Sequence, residues 1–225
     1  MDGGKEPLKI YFAGDLFDSK DLAGNLLMAD AVERISGGRY KVMLPQDGEC
    51  EVVERTSQSI RDADFELLLS CDIIVANFDG TDLDSGTVVE FCFAKMVDMP
   101  ALLLRTDFRN SGDHTLPDGE PWNLMCSHYP RTRVLHINAM QYYHDCRNTA
   151  SGRRDLLEKF YTGIAAGTVE NLDAVIREES WLEKSQLLAQ YQMAVKSIGG
   201  NVPKIFDEYK LQLLVQAKAA TGLYR

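Results

Sequence analysis

Short apolar runs and longer amphipathic segments alternate along the first two thirds of the chain, a pattern that predicts strands followed by helices. Short apolar runs typical of buried parallel strands stand at Leu8–Ala13, Tyr40–Leu44, Ile73–Phe78, Ala101–Leu104 and Val134–Ile137. Longer segments with apolar residues at helical spacing lie between them, from Lys20 to Ile35, from Val53 to Ser70 and after Ser85. We therefore predict an α/β fold with a doubly wound, five-stranded parallel sheet of the flavodoxin or Rossmann type.

The last third of the chain has no strand pattern. Helices are predicted there for three segments: Arg153–Ala166, Val169–Ile198 and Pro203–Ala220. Gly199, Gly200 and Pro203 are the helix-breaking residues between the last two segments. We expect a sheet domain over residues 1–148 and a helical extension over residues 149–225. The apolar residues of that extension predict that it packs on the sheet domain or on a partner subunit.

Composition narrows the classes of function. A chain of 225 residues is long enough for one substantial core, and its formal net charge of −10 argues against a nucleic-acid partner. The five cysteines form no C-x-x-C pair and the four histidines have no ligand spacing, so we expect no disulfide framework, metal or cofactor. No apolar run approaches the roughly 18 residues of a membrane span. Because Met1–Glu6 has no apolar core either, we expect a cytoplasmic protein without a membrane partner.

The segment Asp79–Glu90 is the most informative part of the chain. It places several carboxylates and two glycines between a buried strand and a helix that starts near Ser85, at the sheet edge where α/β proteins bind ligands. We predict that Glu90 lies in the first turn of that helix, where free N–H groups and the macrodipole favour an ionised carboxylate suited to nucleophilic attack. The same residues also fit an ordinary helix N-terminus, with Asp84 and Ser85 as capping residues.

Five segments, taken in order, resemble the nucleoside 2-deoxyribosyltransferase family: Tyr11–Phe17, Pro45–Glu49, Asp64, Asp84–Glu90 and Asn123–Met125. The resemblance covers residues 8 to about 138. It implies a pentosyltransferase that moves 2-deoxyribose between nucleobases, with nucleosides and free nucleobases as its small-molecule partners. It also implies a homo-oligomer, a dimer or larger, with shared active sites.

The resemblance also implies a role for individual residues. Glu90 would be the nucleophile, and Asp84, six residues upstream, would bind the 5′-hydroxyl of the deoxyribose. Asp64 would manage the proton of the base, and Tyr11 would hold the nucleophile by a hydrogen bond. Asn123 would complete the sugar site of a neighbouring subunit.

Further positions belong to the implied substrate site. The base-reading side chain would be Gln46 or Glu49, and Phe17, Gly86 and Met125 would also contact the substrate. Three of the residues with implied catalytic or binding roles also have structural interpretations when each is considered alone. Asp64 fits a solvated charge on a helix, Tyr11 fits a core residue, and Asn123 fits a turn residue.

The expected chemistry explains the need for two carboxyl groups. Cleavage of an N-glycosidic bond passes through an oxocarbenium-like state that one carboxylate stabilises and traps, while a second carboxyl with a raised pKa delivers a proton to the base. If water replaces the incoming base, the same residues make a hydrolase of nucleosides or of their 5′-monophosphates. Asp84 would repel a 5′-phosphate and so separates these substrates. A non-catalytic nucleotide-binding or signalling module is a third hypothesis.

Overall fold

Five parallel strands form one sheet in the order β2-β1-β3-β4-β5, which confirms the predicted doubly wound α/β fold. The strands are β1 (Leu8–Ala13), β2 (Tyr40–Met43), β3 (Ile73–Asn77), β4 (Ala101–Arg105) and β5 (Thr132–His136). This computed structural model describes residues 6–50, 52, 55–109 and 119–225, with Glu49 and Cys50 described in their backbone alone. Because the chain crosses β1 between β2 and β3, the carboxyl ends of β1 and β3 border the crevice where such sheets bind ligands.

The described residues form nine α-helices around the sheet. These are α1 (Ser19–Ile35), α2 (Pro45–Cys50), α3 (Ser57–Ser70), α4 (Ser85–Met96), α5 (Ala139–Thr149), α6 (Arg153–Val175), α7 (Leu187–Ile198), α8 (Val202–Ile205) and α9 (Glu208–Ala220). Short 3-10 helices lie at Leu124–Cys126 and Lys184–Gln186. None of the helices in this part of the chain is long and apolar enough to cross a membrane.

Alternate residues of the strands face two apolar cores. On β1, Tyr11 and Ala13 face the core shared with α3, α4, α7 and α9, whereas Ile10 and Phe12 face the core shared with α1 and α6. Burial on both faces explains why the strand segments are continuous apolar runs. The site residues on β1, α3 and α4 therefore meet on the first of these two faces.

Two of the predicted helix boundaries are wrong. The predicted break after Ala166 does not occur, because α6 continues through Gly167 to Val175. A Cβ at Gly167 would lie 3.3 Å from Leu135 of β5, so this glycine permits close packing of helix on sheet. The predicted helix Val169–Ile198 is interrupted between α6 and α7, because the chain passes there from one core to the other.

The start of α3 and the segment before it also differ from the prediction. α3 begins at Ser57, where Thr56 is the N-cap and exchanges hydrogen bonds with Ser59. The expected start at Val53 lies outside the described residues. The expected turn Pro45–Glu49 forms the short helix α2.

Buried polar contacts fasten the C-terminal helices to the sheet. Lys218 of α9 donates to the Asp72 carboxylate at 2.8 Å and to the Ser70 carbonyl at 2.9 Å. Among the apolar side chains, Leu187 and Tyr191 of α7 are fully buried. These helices thus contribute to the core on the Tyr11 face, and α6 contributes to the opposite one.

Candidate active site

Tyr11 and Glu90 form a short hydrogen bond at the centre of the candidate site. The Tyr11 hydroxyl on β1 donates to Glu90 Oε1 on α4 at 2.6 Å. Tyr11 is fully buried, and burial together with the Glu90 charge raises its pKa well above the ordinary value. Tyr11 therefore keeps its proton and acts as a donor that fixes one oxygen of Glu90.

The environment of Glu90 differs from the prediction in two respects. α4 begins at Ser85, so Glu90 is its sixth residue and lies beyond the first turn. Burial raises the pKa of Glu90 to about 7, the charges of Asp64 and Asp84 add to the rise, and the hydrogen bond from Tyr11 opposes it. The effect of the macrodipole falls off within the first turn, so desolvation determines the direction of the shift.

Asp84 is the N-cap of α4. Its Oδ2 accepts hydrogen bonds from the Thr87 backbone N–H at 2.7 Å and from the Thr87 hydroxyl at 2.9 Å. A Cβ at Gly86 would lie 3.0 Å from this same oxygen, so the glycine leaves room for the capping carboxylate. Asp84 thus has the capping role expected of a helix N-terminus, and its charge is also one of those that act on Glu90.

A cavity of about 340 Å³ lies beside Glu90 and is called here the Glu90 cavity. Its wall combines Asp64 and Phe65 of α3 with residues of α4, and Arg61 lies at the same wall. Asp64 and Glu90 thus border one space together with the Phe65 ring, and a pair of carboxyl groups beside one space is what cleavage of a glycosidic bond requires.

A larger cavity of about 650 Å³ lies on the other side of Ser85 and Val89 and is called here the Asn123 cavity. Asn123 and Met125 line it, whereas Glu90 and Asp64 do not. Although this cavity is the larger, it contains neither carboxylate of the expected chemistry, so the Glu90 cavity is the better candidate for the reaction.

The Asn123 segment lies at the surface. The Asn123 side chain accepts a hydrogen bond from the Met125 N–H at 3.0 Å and so caps the 3-10 helix. Met125 is 71 % exposed, and Phe17, which follows β1, is 77 % exposed. None of these three side chains lines the Glu90 cavity of its own chain.

One of the two predicted base-reading residues is described. Gln46 of α2 accepts a hydrogen bond from Asn25 at 3.2 Å and donates one to the Leu22 carbonyl at 3.2 Å. The side chain of Glu49 lies outside the described residues. The structure thus ties Gln46 to α1, the helix that follows the carboxyl end of β1.

The family model of nucleoside 2-deoxyribosyltransferase matches residues 10–125, just over half of the chain and the part that contains every predicted site residue. The chain belongs to this family. No curated protein matches the chain.

Three solved structures resemble this family member. A conserved protein from Enterococcus faecalis V583 is 26 % identical, with a TM-score of 0.48, and the match covers 68 % of this chain and 97 % of that one. The 2-deoxyribosyltransferase from Bacillus psychrosaccharolyticus is 19 % identical, with a TM-score of 0.40 and coverage of 45 % and 74 %. The enzyme from Leishmania mexicana, also a 2-deoxyribosyltransferase, is 22 % identical, with a TM-score of 0.43 and coverage of 54 % and 87 %.

Two residues to which sequence reasoning assigned no role shape the loop that follows β3 in this nucleoside 2-deoxyribosyltransferase family member. Arg105, buried at the end of β4, donates to the carbonyl oxygens of Phe78 and, at 3.1 Å, Gly80. Asp79 accepts hydrogen bonds from the Thr106 hydroxyl and N–H, the former at 2.7 Å. A charged residue at the end of an apolar strand was the available signal for Arg105.

Proposed function

We propose that the chain is a nucleoside 2-deoxyribosyltransferase that exchanges the nucleobases of 2′-deoxynucleosides through a covalent intermediate on Glu90. The observation that carries the proposal is the 2.6 Å hydrogen bond from Tyr11 to Glu90 beside a cavity that Asp64 also lines. A retaining displacement needs a nucleophile of fixed orientation next to a second carboxyl group. Family membership supports the same class of reaction.

The proposed reaction has two balanced steps. Ionised Glu90 bonds to the anomeric carbon as the N-glycosidic bond breaks, and Asp64 gives a proton to the departing base. The incoming base then attacks the anomeric carbon, the ester bond to Glu90 breaks, and the proton of the incoming base returns to Asp64. Two inversions at the same carbon retain the β configuration. With a pKa of about 7, Glu90 is ionised in a substantial fraction of molecules at neutral pH.

Base exchange is the direct test of this proposal. Deoxyinosine and free adenine are incubated with the protein, and chromatography should detect deoxyadenosine together with hypoxanthine. Free deoxyribose without a new nucleoside would instead identify a hydrolase. A protein that leaves every deoxynucleoside intact would contradict an enzymatic function and favour a binding module.

We expect a preference of roughly 100-fold or more in kcat/KM for nucleosides over their 5′-monophosphates, because like charges in a partly buried site cost several kcal/mol. Asp84 has acidic neighbours, and burial together with its charge raises the pKa of Asp15. Asp84→Ser removes one negative charge, retains a capping side chain and should shift the ratio towards deoxyinosine monophosphate. Kinetics with both substrates measure the ratio.

The matched control for that experiment is Asp82→Ser. Asp82 is exposed in the same loop, so the variant has the same change of charge without the contact to α4. Equal kcat/KM values for the two substrates in the wild-type protein would contradict the role of Asp84. An equal shift in both variants would assign the effect to net charge alone.

We further propose a homo-oligomer in which Asn123 completes the site of a neighbouring chain. Asn123 lines a separate cavity within its own chain, and Leu124 and Met125 beside it are 59 % and 71 % exposed. Exposed apolar side chains that are adjacent at the surface favour an interface between subunits. Proximity of a partner's Asn123 to Glu90 would bring the two parts of the site together.

Subunit mixing tests this arrangement. Glu90→Ala and Asn123→Ala chains, each inactive alone, should recover part of the wild-type exchange rate after dissociation and re-association, because some mixed sites contain both native residues. Each variant re-associated with itself is the control. An active monomer by light scattering, or no recovery despite proven subunit exchange, would assign Asn123 to its own chain or to no catalytic role.

A further inference from the structure

A turn between two C-terminal helices closes on a buried carboxylate of α3, the helix that carries Asp64. This α7–α8 turn comprises residues 199–201, and the Asn201 N–H donates to Asp62 Oδ2 at 2.8 Å. Asp62 is 2 % exposed. Because a buried carboxylate is strongly destabilising unless it keeps its hydrogen-bond partners, this contact fixes α3 against the turn.

Arg61 extends the contact towards the active site. Its guanidinium donates to Asp62 Oδ1 at 2.9 Å and to the carbonyl oxygen of Ile198, the last residue of α7, at 2.7 Å. It also lies 4.8 Å from the centre of the Phe65 ring. Arg61 and Phe65 both line the Glu90 cavity, so the end of α7 is joined to the wall of the candidate site.

Gly200 shows how closely the turn approaches α3. Its φ of +61° is a left-handed conformation that favours glycine, and a Cβ built there would lie 2.4 Å from Asp62 Oδ1. Any larger residue must displace a carboxylate that is buried and held by two hydrogen-bond donors. The turn and Asp62 therefore fit each other with no free space between them.

We infer that Asp62 and the α7–α8 turn position Asp64 relative to Glu90, so that the C-terminal helices set the geometry of the reaction. This inference rests on the proposed function. Asp62 and Asp64 lie two residues apart on one helix, so a shift or rotation of α3 moves both. Asp62 does not line the Glu90 cavity and is thus a positioning residue. A misplacement of about 1 Å in a catalytic group can cost roughly 100-fold in rate.

An anchor that only stabilises the fold would have different consequences. Loss of such an anchor lowers the melting temperature and leaves the chemistry of folded molecules unchanged. Glu90 is faced by Tyr11 from β1, Asp64 from α3 and Asp84 from the N-cap of α4. Because the charge of Asp64 acts on Glu90, displacement of α3 also moves the acid limb of the kcat profile.

The decisive comparison is Gly200→Ala with Gly37→Ala. Gly37 has a φ of +62° and no heavy atom within 4 Å of a built Cβ, so its variant has the same backbone penalty without contact to Asp62. We expect Gly200→Ala to lower kcat for base exchange at least roughly tenfold, with a small change in KM and a displaced acid limb. Gly37→Ala should lower the melting temperature but keep the wild-type kcat and pH profile.

A second pair of variants decides the matter if Gly200→Ala does not fold. Asp62→Asn keeps an acceptor for the Asn201 N–H, whereas Asp62→Ala removes it, so the Asn variant should recover much of the kcat that the Ala variant loses. Wild-type kcat and pH profile in the folded Gly200→Ala and Asp62→Ala proteins would overturn the inference, as would an equal loss in Gly37→Ala. If the wild-type protein is active, those results refute the positioning role and leave the proposed function intact. A wild-type protein without exchange or hydrolysis overturns the proposed function and this inference together.

Discussion

Replacement of Glu90 by glutamine is expected to abolish base exchange and hydrolysis while it stabilises the fold above neutral pH. The amide has the length of the native side chain and can accept the hydrogen bond from Tyr11, but it is not a nucleophile. Removal of a covalent nucleophile typically costs several orders of magnitude in kcat. Chromatographic exchange assays at high enzyme concentration, with equal amounts of folded protein, measure the loss.

The gain in stability follows from the pKa of Glu90, which rises from 4.5 in model compounds to about 7 in the fold. Between these values the folded state binds more protons than the unfolded state, so stability falls as the pH rises through this window. At 1.36 kcal/mol per pKa unit the cost above pH 7 has an upper bound of about 3–4 kcal/mol. Glutamine cannot ionise and avoids this cost.

Thermal unfolding at two pH values tests this prediction. Glu90→Gln should melt above the wild-type protein at pH 8, and the difference should shrink at pH 5, where Glu90 is protonated in the fold. Glu66→Gln is the control, because it makes the same change at an exposed position of α3. A Glu90→Gln protein that melts below the wild type at pH 8 would show that the ionised form is stabilised.

Chemical trapping identifies the nucleophile directly. A 2′-fluorinated deoxynucleoside should leave one sugar mass on the peptide that contains Glu90, because the fluorine slows hydrolysis of the intermediate through its oxocarbenium-like state. The Glu90→Gln protein should stay unlabelled. A label on any other residue would refute the assignment of Glu90.

The sheet was predictable because its strands are buried on both faces. Each strand is a continuous apolar run that stands out from the amphipathic helices, and the observed strands fall within a few residues of those runs. Alternation of strands and helices then leads to a parallel sheet. The segment from Asp79 to Glu90 could be placed at its carboxyl edge because the order of elements alone determines that position.

The helical boundaries depend on contacts that the sequence does not contain. A glycine such as Gly167 indicates a helix break in the sequence. Only the 3.3 Å between a Cβ built there and the Leu135 side chain shows that this glycine permits close packing. Gly200, which also reads as punctuation, does end a helical region, but its neighbour Asp62 is 138 positions away in the chain. The same residue type thus has opposite meanings according to its tertiary neighbours.

The protonation state of Glu90 also could not be predicted from the sequence without the fold. The position of Glu90 near a helix start suggested an ionised carboxylate, but its pKa depends on how much water the surrounding elements exclude. Tyr11 and Asp64 are 79 and 26 positions away in the sequence, and their effects on Glu90 arise only when β1 and α3 pack on α4. Residue types at the spacing typical of a family indicate where a site lies. The protonation states of its residues can be inferred only from the structure.

The largest expected loss of stability concerns a buried ion pair far from Glu90, at the amino ends of β4 and β5. Arg131 donates to the Asp98 carboxylate at 2.8 Å and to the Leu223 carbonyl at 2.8 Å, and Ser180 also donates to Asp98. The side chains of Arg131 and Asp98 are 2 % and 0 % exposed. This cluster joins the sheet to the segments on both sides of the C-terminal helices.

Arg131→Met should therefore destabilise the fold by roughly 3–5 kcal/mol, because it leaves the Asp98 carboxylate buried without its cation. For a chain of this size that corresponds to a decrease of roughly 6–20 °C in melting temperature. Arg133→Met is the matched control: it breaks the exposed Arg133–Glu178 pair, two residues further along the chain in β5, and should cost less than about 1 kcal/mol. Below its melting temperature the Arg131→Met protein should keep the wild-type kcat, since the pair lies at the sheet edge opposite Glu90.

Equal melting temperatures for the two variants would refute the anchoring role of the pair. A lower kcat in fully folded Arg131→Met protein would show that this edge is coupled to the active site.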